Sequence, residues 1–326
     1  MALVPLCLAT TQALFGATAV VGRLGLRASN PLAFSIWRFL LAAPCLLVLL
    51  TVRQGLRCPP ISRQLLLSAV CILGSNLGIT LGIVLAGQVT ASTWQPLQLV
   101  FTTLLSLLIG TETSLSWRKL VGLAFGLLGA SLIVLLDTAF WTASRAGSTT
   151  SGWGHLALFV NTISSSMLFV LRRSLTKQPN GLSALAAVAW THVLALPLLL
   201  LLGLLGNESP LLRRVVCDGC DSVLAPPTST AWPALAFYTV VPTILCQSLM
   251  AWAAKHAEPS TMAMYPVLQP VASASLSWLL RSAAPQLREV LVAPAANTFG
   301  ALPVVIGLYL VSSDSAVRQV KGEKAS

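Results

Sequence analysis

Long apolar stretches alternate along this chain with short clusters of charge. No Asp, Glu, Lys or Arg occurs in 2–22, 64–111, 146–171, 178–207, 222–254, 259–280 or 290–313. A helix that crosses a bilayer needs about 20 apolar residues. The run 64–111 is too long for one crossing and right for two, with Gly87, Gln88 and Thr90 as a tight polar turn. The pattern predicts ten helices, at 3–26, 32–52, 64–86, 89–110, 118–137, 153–171, 182–205, 232–254, 260–280 and 292–312. Most linkers are short. The two longer ones are 138–152, rich in Ser, Thr and Gly, and 206–231, which holds Arg213, Arg214, Cys217 and Cys220.

Composition supports lipid as the solvent. Of 326 residues 56% are hydrophobic and 9% charged, and the mean hydropathy is +0.82. Soluble domains carry about 25% charged residues, and a single core stops growing at about 250–300 residues. The net charge of +11 does not point to nucleic acid. The basic residues form no stripe with interleaved aromatics and sit between apolar runs, where they orient helices. With the N-terminus in the cytoplasm, one side holds Arg53, Arg57, Arg63, Arg118, Lys119, Arg172, Arg173, Lys177, Lys255, Arg318, Lys321 and Lys324. The other holds Arg23, Arg27, Arg145, Arg213, Arg214, Arg281 and Arg288. This bias places both termini in the cytoplasm. Asn207-Glu208-Ser209 would then be an outward glycosylation sequon. The apolar run from Ala2 lacks a basic leader and outlasts a signal peptide. It therefore reads as a spanning helix that serves as its own insertion signal. Cys217 and Cys220 read as a free pair or a loop disulfide rather than half a zinc site.

The runs repeat. Trp37 stands seven residues before Pro44, and Trp190 seven before Pro197. Leu97-Gln98-x-Val100 with Leu105-Ser106 recurs as Leu268-Gln269-x-Val271 with Leu276-Ser277. Ser92-Thr93 recurs as Ser260-Thr261, and Gly122 and Gly129 recur as Gly300 and Gly307. The matches keep their order and pair run 1 with 6, 2 with 7, 4 with 9 and 5 with 10. Five crossings per half make the second half upside down relative to the first, a design suited to alternating access around a midplane site. The division is a first repeat at 1–138, a linker at 139–152, a second repeat at 153–313 and a cytoplasmic tail at 314–326.

These motifs resemble the drug/metabolite transporter superfamily, and within it the EamA-type family. Ala13-Leu14-Phe15-Gly16 with Arg23-Leu24-Gly25-Leu26 is similar to that family's opening helix, and Pro31 to Phe39 to the start of its second. Ala257-Glu258-Pro259-Ser260-Thr261 through Tyr265 to Leu268-Gln269-Pro270-Val271 is similar to its ninth. Gly307-Leu308-Tyr309-Leu310-Val311 is similar to its last. The chain departs from the family at Arg281-Ser282-Ala283-Ala284, where a Glu is usual, and at Pro96, which is displaced from the matching Pro270. The resemblance implies a basket of ten helices around a central cavity lined mostly by helices 1, 3, 4, 6, 8 and 9. The family's substrates include amino acids, metabolites, drugs, nucleotide sugars and sugar phosphates.

Within the runs a few residues are candidates for handling a solute. Gln98 and Gln269 lie about nine residues into equivalent helices, near mid-bilayer at about 1.5 Å per residue. They read as substrate-binding amides or as interhelical hydrogen bonds. Pro96, Pro266 and Pro270 interrupt the same two helices, because each lacks an N–H. Such breaks are tolerated where backbone faces protein or a water-filled cavity. Trp94, Tyr265 and Trp252 could wall an apolar or aromatic solute, or only pack. His192, midway along its helix, is a proton-coupling candidate or a neutral histidine bonded to a neighbouring helix, the latter preferred. Arg38 meets an anionic solute or snorkels outward, with snorkelling preferred. Gly74, Gly78 and Gly82 form a face for close helix packing.

All nine acidic residues fall in loops or at helix ends. A facilitator, an exchanger or weak His-based coupling fits better than a carboxylate-driven pump. The leading expectation is a multi-pass transporter of a small organic metabolite, an amino acid or related solute, working by alternating access without cofactor or metal. A nucleotide-sugar or sugar-phosphate antiporter of the same superfamily is the alternative. A membrane enzyme would need paired carboxylates with a metal or a His cluster, and a non-transporting scaffold would not need the inverted repeat. A homodimer is compatible with this architecture.

Overall fold

A computed structural model describes residues 3–26, 29–110, 117–136, 150–177, 181–209, 222, 224–257 and 259–291, with a few positions between 299 and 310. Every regular element among the described residues is helical. Most of the predicted tenth helix and of the 138–152 linker, half of the 206–231 linker with Cys217 and Cys220, and the 314–326 tail lie outside the described residues.

The first three crossings are α1 (Leu3–Leu26), α2 (Pro31–Gln54) and α3 (Arg63–Ala86). Local chemistry sets their ends. The Asn30 side chain accepts hydrogen bonds from the Leu32 and Ala33 N–H groups, and Pro31 opens α2 where no N–H is needed. Ser62 caps α3 in the same way. Gly87 closes α3 at φ +90°, a conformation costly for any residue with a Cβ, and the next helix starts at Gln88. The polar turn expected there is this glycine. Each of the three helices has 24 residues, or about 36 Å at 1.5 Å per residue, enough for a hydrocarbon core of about 30 Å.

The fourth crossing is broken. It consists of α4 (Gln88–Thr93), a 3₁₀ turn at Gln95–Leu97 and α5 (Gln98–Leu108). The fifth is α6 (Trp117–Leu135). The second half supplies α7 (Thr150–Lys177) and α8 (Ala184–Glu208). Its eighth crossing runs as α9 (Trp232–Tyr238), a π-helical segment at Thr239–Cys246 and α10 (Gln247–His256). The ninth breaks as the fourth does: α11 (Pro259–Met262), a 3₁₀ turn at Tyr265–Val267, then α12 (Leu268–Ala283). Among the described residues, six helical stretches are long and apolar enough to cross a membrane. The broken fourth and ninth crossings fall short because each is split.

The halves meet in antiparallel pairs. Along α3, a Cβ on Gly74 would strike Ser164, one on Gly78 would strike Ala157 and Asn161, and one on Gly82 would strike Leu158. Partner numbers fall as α3 numbers rise, so α3 and α7 run in opposite senses with their backbones in close contact. The expected glycine face is thus the α3–α7 seam. The crossing α1 pairs in the same way with α9 and α10. Gly25 meets Ala234, the Tyr238 hydroxyl donates to the Thr18 carbonyl at 2.7 Å, and Gln12 reaches Met250. Third with sixth and first with eighth are the pairs that the expected repeat would make equivalent. Outside these seams the surface is apolar. Leu66, Leu67 and Val70 on α3, Leu201, Leu204 and Leu205 on α8, and Val271 and Trp278 on α12 are all exposed. Patches of that size are unfavourable in water and suit lipid.

Candidate functional site

A cavity lies between these seams, with about 770 Å³ of atom-free space including its opening to solvent. Crossings 1, 3, 4, 6, 8 and 9 line it, and Arg38 joins them from α2. Three of the expected site residues are on its wall: Gln98, Gln269 and Arg38.

The two glutamines hold matching positions just after the two 3₁₀ turns, and both are buried. Gln269 Nε2 donates to Gln12 Oε1 of α1 at 2.6 Å, so it bridges two helices. Gln98 Nε2 donates to Gln95 Oε1. Gln95 Nε2 donates in turn to Asn161 Oδ1 at 2.9 Å, and Asn161 Nδ2 donates to the Ser75 carbonyl at 2.7 Å. A chain of amides therefore links the fourth, sixth and third crossings along the wall. Pro96 and Pro266 sit inside the 3₁₀ turns, and Pro270 lies in the first turn of α12.

Arg38 does not snorkel. Its side chain is 4% exposed, its Nε donates to Thr243 Oγ1 at 2.6 Å, and its guanidinium lies 5.1 Å from the centre of the Tyr238 ring. The π-helical segment creates that acceptor. Pro242 has no N–H to give the Tyr238 carbonyl in an α-turn, and the Thr243 hydroxyl donates to this carbonyl at 2.8 Å. Wide turns of this kind occur often at functional sites.

The other expected residues are placed elsewhere. Trp94 is buried with its Nε1 donating to His155 Nδ1 at 3.0 Å. Tyr265 and Trp252 are half-buried and pack against the apolar cluster around Leu8, Leu99 and Met250. His192 is fully buried, its Nδ1 pairs with the Val188 carbonyl of its own helix at 2.8 Å, and its ring lies against Phe39. None of these four lines the cavity.

Arg172 is the main residue that sequence reading misplaced. It was assigned to a cytoplasmic segment because the apolar run ends at Leu171. The helix continues to Lys177, and Arg172 is 6% exposed on the cavity wall, where its Nη2 donates to Gln247 Oε1. Gln12, Gln95, Asn161 and Gln247 also went unnoticed. Their signal was available, since each is an amide inside an apolar run.

Two further arginines bind helix ends. Arg23 of α1 donates from Nη1 to the Ile83 and Val84 carbonyls at the end of α3, at 3.0 and 2.8 Å. Arg173 of α7 donates to the Ala257 carbonyl at the end of α10. A cation is favourable at a helix C-terminus. Because α3 and α7 run in opposite senses, the two contacts sit at opposite ends of the bundle.

The broken helices, the lipid-facing surface and the buried polar cavity define a multi-pass integral membrane protein. Residues 3–135 match the model of the EamA-like transporter family, part of the drug/metabolite transporter superfamily. A solved crystal structure shares the fold at a TM-score of 0.64 and 15% identity, over 95% of this chain and 96% of the other. That likeness carries the fold, and the fold alone, into the second half.

Proposed function

We propose that the protein moves a small organic solute across its membrane by alternating access, with the central cavity as binding site. The observation that carries this reading is the pairing of Gln98 with Gln269. Each stands at the lip of a helix break, at equivalent positions of the two halves, on the wall of one buried polar cavity. Backbone breaks at membrane depth cost little where they face such a cavity. The Arg23 and Arg173 contacts supply what two-sided access needs: a latch at each end of the bundle. Ten crossings, with both termini in the cytoplasm, remain the arrangement that accounts best for the charge pattern.

The test is counterflow with purified full-length protein in liposomes, against a panel of amino acids and related metabolites. Accumulation of at least one labelled solute against its unlabelled form supports the reading. Folded protein that moves none of them favours a scaffold instead.

A further inference from the structure

The cavity has a basic pole that the amide reading does not use. Arg38 and Arg172 come from different helices and are 4% and 6% exposed. Each is anchored to the same crossing, Arg38 on Thr243 and Arg172 on Gln247. Those anchors are four residues apart on that crossing. A guanidinium carries five N–H donors. Among the described residues, each of these two spends one of them on the protein. Among the described residues, none that lines the cavity is an Asp or a Glu. Two buried cations on the wall of one cavity without a carboxylate are unfavourable, because their desolvation is uncompensated. Their open donors form planar forks, the geometry that suits carboxylate and phosphoryl oxygens.

The amide chain lies at another level. Asn161 and Arg172 are on the same helix, eleven residues apart in number, and about 16 Å apart along the axis at 1.5 Å per residue. The cavity is therefore polar in two different ways along α7: neutral amides near Asn161 and Gln95, cations near Arg172 and Arg38.

We propose that the solute is a small organic anion, whose carboxylate or phosphoryl oxygens bind between Arg38 and Arg172 while its uncharged hydrogen-bonding part faces the amides. This deepens the transport reading and rests on it for the word solute. Binding of the anion, however, can be measured without transport.

The experiment uses full-length protein in detergent and follows thermal unfolding against four probes. Succinamate and glycerol 3-phosphate are the anions; succinamide and glycerol are their neutral counterparts. The anions should raise the midpoint in a saturable way and the neutral counterparts should not. The series that saturates at lower concentration tells carboxylate from phosphate. Arg172→Gln and Arg38→Gln should each weaken the anion's apparent Kd by about tenfold or more, the usual loss for a charge-assisted hydrogen bond. Arg172→Lys and Arg38→Lys, which keep the charge and are the milder changes for folding, should fall between. No shift with either anion, equal shifts with the neutral probes, or an anion shift unchanged in all folded variants would overturn the proposal. Liposome flux separates the two readings. Neutral solutes that move while anions do not would sink the anion and keep the transporter. An anion that binds in detergent when no solute moves would keep the basic site and sink the transporter.

Discussion

Arg38 and Thr243, on the second and eighth crossings, share one hydrogen bond of 2.6 Å, and the same hydroxyl donates to the Tyr238 carbonyl at 2.8 Å. The threonine thus joins a buried cation to a helix turn widened at Pro242. Thr243→Val keeps the shape and removes the hydroxyl from both bonds. A buried polar group left without its partner costs about 1–3 kcal/mol. The valine variant should unfold several degrees lower in detergent, and Thr243→Ser should recover most of the loss. An unchanged midpoint would mean that the hydroxyl supports neither group.

The α3–α7 seam makes a sharper packing prediction. A Cβ at Gly78 would lie 2.5 Å from the Ala157 carbonyl oxygen and 2.8 Å from the Asn161 backbone nitrogen. Backbone cannot swing aside as a side chain can, so Gly78→Ala should cost about 1–3 kcal/mol. Gly152, on the same helix pair, has nothing within 4 Å of the added methyl. Gly152→Ala should leave the unfolding midpoint where it is. Equal effects at the two sites would contradict the close seam.

The two arginine latches should fail in opposite directions. Ser75 lines the cavity and serves as a reporter when replaced by cysteine in a background without the native thiols. Arg23→Ala should speed labelling of Ser75→Cys by an impermeant reagent from the end of the bundle that holds the α3 terminus. Arg173→Ala should speed it from the other end. Faster labelling from the same end in both variants would remove the inverted pair of latches.

Gln269→Ala cuts the bridge between α12 and α1, while Gln98→Ala cuts only the end of the amide chain that starts at Asn161. Both should lower transport. The Gln269 change should also lower the unfolding midpoint more, since Gln12 loses a buried partner in another helix. A larger loss of stability at Gln98 would reverse this assignment of roles.

Much of the frame was legible because hydropathy and proline chemistry act locally. Gly87 as a turn, the breaks around Pro96 and Pro266, and the glycine seam on α3 all follow from what one residue permits its own backbone to do. The facing of a side chain is not local. His192 lies midway along a helix, as expected, yet its face meets Phe39 rather than the cavity. Trp94 and Trp252 turn toward other partners. Arg172 was hidden by a rule that usually works, that charge marks a membrane edge. Here the helix outruns its apolar stretch by six residues, from Leu171 to Lys177, and the arginine is sheltered by the neighbouring crossing. The π-helical segment had its signal in Pro242 and Thr243, placed mid-run.

Transport through the central cavity is tested most directly by counterflow in liposomes with the wild type beside the Gln98→Ala, Gln269→Ala double variant. The account predicts that the wild type accumulates at least one labelled solute and that the folded double variant loses most of that flux. Equal flux in the two would place the path elsewhere in the bundle, and no flux from folded wild type with any solute would contradict transport itself.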